Sequence, residues 1–336
     1  MTPNKTSETK KDISHYPPGY RFEKTHLTGI KYLSEFDIRA ILDHAAKLEN
    51  MDAQEFADHN PLKGRTQINL FFENSTRTQA SFELAGQRLG ANILNMSVST
   101  SSVSKGETLI DTAVTLNAMH PDILVVRHFS SGAADLLSQK VNCAVINAGD
   151  GTHEHPSQAL LDAYTIRKKL GYIARSAIVI CGDILHSRVA RSNLILLNAL
   201  GAQIRIVAPP TLIPAGLDKM GCTVHHHIRD ALDGANIIMM LRLQKERMQG
   251  SYIPSAKEYY RRYGLSTEIL EKYAPNAYVM HPGPVNRGIE IQSRLVDDPE
   301  RSLIRDQVEN GVTVRTAIID MICAARRHSV SDEAHI

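Results

Sequence analysis

The chain has 336 residues, with 38 Lys and Arg against 36 Asp and Glu, a formal net charge of +2. That length suits two domains with an ample core, and the balanced charge points to neither nucleic acid nor a membrane surface as partner. No apolar run approaches the roughly 18 residues of a transmembrane helix, and the polar N-terminus does not read as a signal peptide. Cys143, Cys181, Cys222 and Cys323 lie far apart with no C-x-x-C pair, which reads as a reduced, cytoplasmic protein with buried thiols.

Residues 1–20, rich in Lys, Thr and Pro and without periodicity, read as a flexible N-terminal tail. Short β-rich runs follow at 66–72, 123–127, 143–147, 177–181, 203–208, 236–241 and 277–280. Helical patterns fall between them, at 34–50, 76–90, 107–119, 155–170, 187–200 and 211–220. A last amphipathic helix is expected at about 312–327, on Val314, Ala317, Ile318, Met321, Ile322 and Ala325. Alternation at this spacing predicts an α/β fold of two domains, each a parallel β-sheet flanked by helices. The break at Gly149-Asp150-Gly151-Thr152, and the proline that opens the next helix at His155-Pro156, divide the chain into domains 21–154 and 155–311. Helix 155–170 bridges them, and helix 312–327 packs back on the first. Two polar segments, 97–106 and 244–263, read as loops that close over a site, with simple solvated loops as the alternative.

The strand ending at Phe71-Phe72-Glu73-Asn74 gives way at once to a helix that opens on Ser75-Thr76-Arg77-Thr78. Free amides and the positive dipole end of a helix attract anions, and hydroxyls with an arginine there suit a phosphate. An ordinary Ser/Thr helix cap is the alternative. In open α/β sheets ligands bind beyond the carboxyl ends of the strands. At those ends this chain places Arg127-His128, Gly182-Asp183 leading to Arg188, Arg242-Leu243-Gln244, and His281-Pro282-Gly283-Pro284. Cations and donors from four strands facing one rim indicate an anionic ligand. His155 and Gln158, three apart at a helix start, face one direction. His153-Glu154-His155 lacks the spacing of a zinc motif, so no metal is expected. His225-His226-His227 reads as a solvated connection. Neither a dinucleotide fingerprint, a Walker loop nor a Gly-x-Ser-x-Gly elbow is present, so no cofactor and no covalent nucleophile are expected.

From about residue 21 to 327 the chain resembles the aspartate carbamoyltransferase family. The likeness rests on separated motifs in the family's order: Phe71 to Thr78, Lys105-Gly106-Glu107-Thr108, Val126-Arg127-His128, His155-Pro156-Ser157-Gln158-Ala159-Leu160, Arg242-Leu243-Gln244-Lys245-Glu246-Arg247, and His281 to Gly288. The Asp…Ser-Met-Gly loop and His-Cys-Leu-Pro segment of the ornithine enzymes are absent, so the resemblance implies aspartate as acceptor. It implies that Ser75, Thr76, Arg77 and Thr78 hold the phosphate of carbamoyl phosphate, and that Thr78, Arg127 and His155 point donors at its carbonyl oxygen. Gln158 and the Pro282 carbonyl would take the carbamoyl amide. Arg188, Arg242 and Gln244, beside Gly283 and Pro284, would receive L-aspartate. Ser101 and Lys105 would reach into a neighbour's site in a homotrimer, Lys105 touching both substrates. Catalysis would fall to Arg77, Thr78, Lys105, Arg127 and His155. A cis Gly283–Pro284 peptide is implied too. Gln79 departs from the arginine often found there. Regulatory chains or a dihydroorotase are partner classes the resemblance leaves open, as it leaves open a catalytically silent scaffold or another amine acceptor.

Overall fold

The computed structural model describes residues 16–97, 108–244 and 255–333. The first sheet is laid down by α1 (Glu35–Glu49), α2 (Ala53–Asp58), β1 (Thr66–Phe71), α3 (Thr76–Arg88), β2 (Asn92–Ser97), α4 (Leu109–Asn117), β3 (Ile123–His128), α5 (Ala133–Ser138) and β4 (Ala144–Asp150). Its strands are all parallel, in the order β2-β1-β3-β4. Side chains alternate across a strand, so Ile123 and Val125 of β3 pack with Phe82 and Ala85 of α3, while Leu124 and Val126 join Leu116 and Leu137 on the opposite face. Both faces are therefore covered by helices, as a parallel sheet requires.

A second sheet follows from α6 (Pro156–Leu170), β5 (Ala177–Cys181), α7 (Arg188–Ala199), β6 (Gln203–Val207), β7 (Cys222–His225), α8 (Ile228–Ala231), β8 (Ile237–Met240), α9 (Ala256–Tyr263), α10 (Thr267–Tyr273), β9 (Tyr278–Met280) and α11 (Ser293–Val296). It too is parallel, ordered β7-β6-β5-β8-β9. Each sheet reverses its winding once, between β1 and β3 in the first and between β5 and β8 in the second. Such reversals open a crevice at the carboxyl ends of the strands. Residues 72–78 with 127–128 border one crevice, and residues 182–188 with 241–244 border the other.

The terminal helix α12 (Ile304–Glu333) packs on α1, α3 and α6. Every residue of α6 from Pro156 to Ile166 is buried. These two helices join the sheets, and one hydrophobic cluster runs from Ile38 through Leu160 and Ile318 to Ile178. Gly311 sits inside α12 because a Cβ there would lie 2.7 Å from Nη1 of the buried Arg315.

Several elements depart from expectation. β2 and β7 were not predicted: both are short edge strands, β2 with its apolar residues broken by two asparagines. The helix expected at 211–220 is instead two 3-10 turns, Pro210–Leu212 and Leu217–Met220, because Pro214 and Gly216 interrupt it. The end of the polar segment 244–263 is helical as α9, which buries Tyr259 and Tyr263 one turn apart. The last helix is longer than 312–327. Tyr16 and Tyr20, in the expected tail, stack at 5.0 Å, and the Tyr20 hydroxyl donates to Asp37 at 3.0 Å. Residues 98–107, nearly all of the first expected closing loop, and 245–254, half of the second, lie outside the described residues. No described helix is long and apolar enough to cross a membrane.

Candidate functional site

Two helices that open on the site lack a side-chain cap, as do the short helices α5, α8 and α11. The side chains of Ser34, Asp52, Thr108 and Ser187 cap the amides of α1, α2, α4 and α7. Ser75, at the N-cap of α3, makes no such bond; its hydroxyl donates to Thr78 Oγ1 at 3.0 Å instead. His155, at the N-cap of α6, makes none either, and Pro156 occupies the first turn. α6 opens on a proline, which has no N–H, and its Gln158 N–H reaches the His155 carbonyl at 3.0 Å, whereas the amides that open α3 are left uncovered by their own cap. This favours the anion cradle over the simple cap for residues 75–78.

Arginines from both sheets converge beside these helix ends, and glycines let them in. Gly149 has φ +116°, and a Cβ on it would lie 2.9 Å from Cζ of Arg188 and 3.2 Å from Nη1 of Arg127. Arg127 donates to the Ala148 carbonyl at 3.1 Å and its Nε lies 3.3 Å from Glu73 Oε2. Arg188, 4% exposed, donates to the same Glu73 oxygen at 2.7 Å and to the Gly151 carbonyl at 3.2 Å. Glu73 therefore ties an arginine of the first sheet to one at the start of α7. At the other end of the cleft, a Cβ on Gly283 (φ +65°) would fall 2.7–2.9 Å from the guanidinium atoms of Arg77. Burial and the nearby Arg242 both push the Arg77 pKa down. The Gly283–Pro284 peptide is cis.

Two histidines line the same space as neutral rings. Burial, then Arg77 and Arg242, lower His281 to about 3. Its Nδ1 accepts the Gly283 N–H at 2.9 Å, so the proton sits on Nε2, which is buried with no partner among the described residues. Burial, then Arg127, Arg188 and Arg315, hold His155 well below its ordinary value. Its Nδ1 is likewise buried and unpartnered among the described residues. A neutral imidazole beside arginines offers a hydrogen bond without adding charge.

The predicted residues fall into two groups around one cleft: Arg77, Arg242, Pro282, Gly283 and Pro284, then Arg127, Arg188 and His155. Ser75, Thr76 and Thr78 lie at the start of α3. Gln158, half a turn into α6, gives its amide N–H to Asp162 at 2.9 Å. Gln244 is drawn inward, its backbone N–H to Asp183 at 3.3 Å and its side chain to the His186 carbonyl at 3.1 Å. Ser101 and Lys105 lie outside the described residues. Glu73, Gly149, Asp162 and His281 had no assigned role in the sequence reading. Glu73 was legible as a carboxylate four residues before Arg77 in the same motif. Among the described residues no three His, Cys, Asp or Glu side chains could hold a metal. His153 instead contacts Asp150, and Glu154 accepts the Ile30 N–H at 2.7 Å.

Residues 25–168 match the model for the carbamoyl-P binding domain of aspartate/ornithine carbamoyltransferases, and residues 175–322 match the Asp/Orn binding domain. The chain belongs to the aspartate/ornithine carbamoyltransferase family. An aspartate carbamoyltransferase catalytic subunit of Parvibaculum lavamentivorans is 61% identical over 301 residues, covering 90% of this chain and 92% of that one. The Rhizobium johnstonii subunit of the same name is 58% identical over 305 residues, covering 91% and 96%. Among solved structures, aspartate transcarbamoylase from Trypanosoma cruzi in complex with N-(phosphonacetyl)-L-aspartic acid superposes with a TM-score of 0.80 at 32% identity, covering 89% and 95%. The ornithine carbamoyltransferase of Pyrococcus furiosus also reaches 0.80, at 25% identity and 90% and 97% coverage. The backbone is thus shared across acceptors, and identity is higher on the aspartate side.

Two outcomes follow from this geometry. Gly283→Ala places a methyl group against the Arg77 guanidinium and strains a positive φ. It should weaken inorganic phosphate binding about tenfold by calorimetry while far-UV circular dichroism is unchanged; wild-type affinity would contradict the contact. Stability of the substrate-free protein should fall with pH below about 6.5. There the unfolded chain protonates both histidines and the folded chain neither, a loss of about 1.4 kcal/mol per pH unit per histidine. Asp162, raised by burial to about 6, works in the opposite sense below that pH and offsets one of them. Urea titrations at pH 7.5, 6.5 and 5.5 read this directly, and equal midpoints at the last two would refute it.

Proposed function

We propose that the chain transfers the carbamoyl group of carbamoyl phosphate to the amino group of L-aspartate, giving N-carbamoyl-L-aspartate and phosphate, a step of de novo pyrimidine biosynthesis. The observation that supports this most directly is the approach of Arg77, from the first sheet and packed on Gly283, to Arg242, from the second. One crevice can thus receive a phosphate at the start of α3 while the other delivers a dicarboxylate to the same point. Two unit charges about 4 Å apart repel by roughly 4 kcal/mol at an effective dielectric near 20. The two anions meet only where cations such as these are already in place.

In this reading Ser75, Thr76, Arg77 and Thr78 hold the phosphate, and Thr78, Arg127 and His155 direct donors at the carbonyl oxygen. Gln158 and the Pro282 carbonyl receive the amide, and Arg188, Arg242 and Gln244 hold the two carboxylates. The amine attacks the carbonyl carbon, the bond to the phosphate oxygen breaks, and the departing phosphate takes the amine proton. No protein nucleophile is needed, so catalysis is positioning plus stabilisation of the oxyanion. We assign the cytoplasm as the compartment, from the four unpaired thiols. We assign a homotrimer in which Ser101 and Lys105 complete a neighbour's site.

Purified protein incubated with carbamoyl phosphate should carbamoylate L-aspartate and leave L-ornithine untouched. Turnover of ornithine alone would overturn the acceptor, and turnover of neither would overturn the reaction. Arg127→Ala or His155→Ala should each lower kcat by about 10² to 10³, the usual effect of losing one oxyanion donor. Mixing inactive Lys105→Ala and His155→Ala proteins, then dissociating and reassociating them, should restore part of the activity. No recovery would exclude shared sites.

A further inference from the structure

Asp162 lies within α6, wholly buried, and ion-pairs with no described cation. Its carboxylate is held by three amides. Gln158, one turn earlier on the same helix, donates to Oδ1 at 2.9 Å, and Gln307 of α12 donates to the same oxygen at 2.8 Å. Asn193 of α7 donates to Oδ2 at 2.8 Å. An ionised carboxylate only accepts hydrogen bonds. It therefore dictates which way each amide turns: nitrogen toward Asp162, oxygen away. For Gln307 the consequence is visible, because its Oε1 accepts the backbone N–H of His281 at 2.9 Å, directly before Pro282. For Gln158 the same rule turns Oε1 away from Asp162.

We propose that Asp162 is a positioning residue for the carbamoyl amide, acting through both glutamines at once. This inference rests on the carbamoyl-transfer reading. An NH2 group needs acceptors, and the two assigned to it are the Gln158 oxygen and the Pro282 carbonyl. One carboxylate oxygen sets both: it orients Gln158 directly, and it pins the turn that carries Pro282 through Gln307. Were Gln158 to flip, its own NH2 would face the substrate's NH2, donor against donor. An alcohol or thiol at position 162 would leave this choice open. An ionised carboxylate leaves none, and the three amides with Arg315 counter the burial that pushes its pKa to about 6.

The test uses the full-length enzyme and reads kcat beside inorganic phosphate affinity, which depends on α3 and not on Gln158. Asp162→Ala should lower kcat at least tenfold and leave phosphate affinity within twofold. Asp162→Asn should recover most of the loss, because one remaining oxygen serves both glutamines while Asn193 turns over to meet the new amide. Adding Asp162→Ala to the Gln158→Ala/Gln307→Leu pair should cost little more than that pair alone, since both routes are already cut. A kcat for Asp162→Ala within threefold of wild type, no recovery in Asp162→Asn, or losses that multiply would each overturn the proposal. Should Asp162→Ala not fold, Gln307→Leu carries the same test: a tenfold loss of kcat with phosphate affinity kept supports it, and a kcat within threefold overturns it. Wild-type turnover is the control, so a failed reaction assignment is distinguishable from a failed role for Asp162.

Discussion

Guanidinium groups must be held close together here before any anion arrives to neutralise them, and much of the fold is arranged around that constraint. Arg127 and Arg188 share Glu73 and take backbone carbonyls at Ala148 and Gly151 as further acceptors. Like charges at such distances repel by several kcal/mol unless partners intervene, and a carboxylate bridging two arginines supplies that partner. Burial and the neighbouring Arg242 push Arg77 down from its ordinary value, and burial with both arginines lowers His281 to about 3. Glu73 thus bridges the arginines at one end of the cleft, and Arg77 stands near Arg242 at the other, where the phosphate is assigned.

Two doubly wound sheets meet this constraint by the same means. Each reverses its strand order once, and each reversal presents loops from neighbouring strands to a crevice. With α6 and α12 buried between the sheets, the crevices face one another, and no single sheet needs to gather all the cations. The glycines at 149 and 283 complete the arrangement. Their positive φ angles and missing Cβ atoms allow side chains from the other crevice to lie against the backbone.

The sequence made the local part of this legible. Buried parallel strands announce themselves as short apolar runs, and residues that follow a strand are known to lie at its end, so Arg127, Arg188, Arg242 and His281 could be placed on one rim without coordinates. The order of separated motifs then named a family. Edge strands β2 and β7 escaped because half-exposed strands need no continuous apolar run. The Asp162 network escaped for a different reason: Gln307 is 145 residues away in sequence, and a buried glutamine on an amphipathic helix looks like any other polar residue. Gly149 read as a chain break because a turn glycine and a glycine crowded by an arginine share the same letter. Periodicity reports which face a residue takes and is silent about what waits across the gap.

The bare helix end of α3 has a consequence for the stability of the unliganded chain. A side-chain cap contributes about 1 kcal/mol to a helix, and here one is forgone, leaving the first amides of α3 available. Any anion seated there restores the missing contacts and stabilises the folded chain in proportion to its occupancy. The unliganded enzyme is thus the less stable form, so an anion at this helix end protects the fold as well as occupying the cleft.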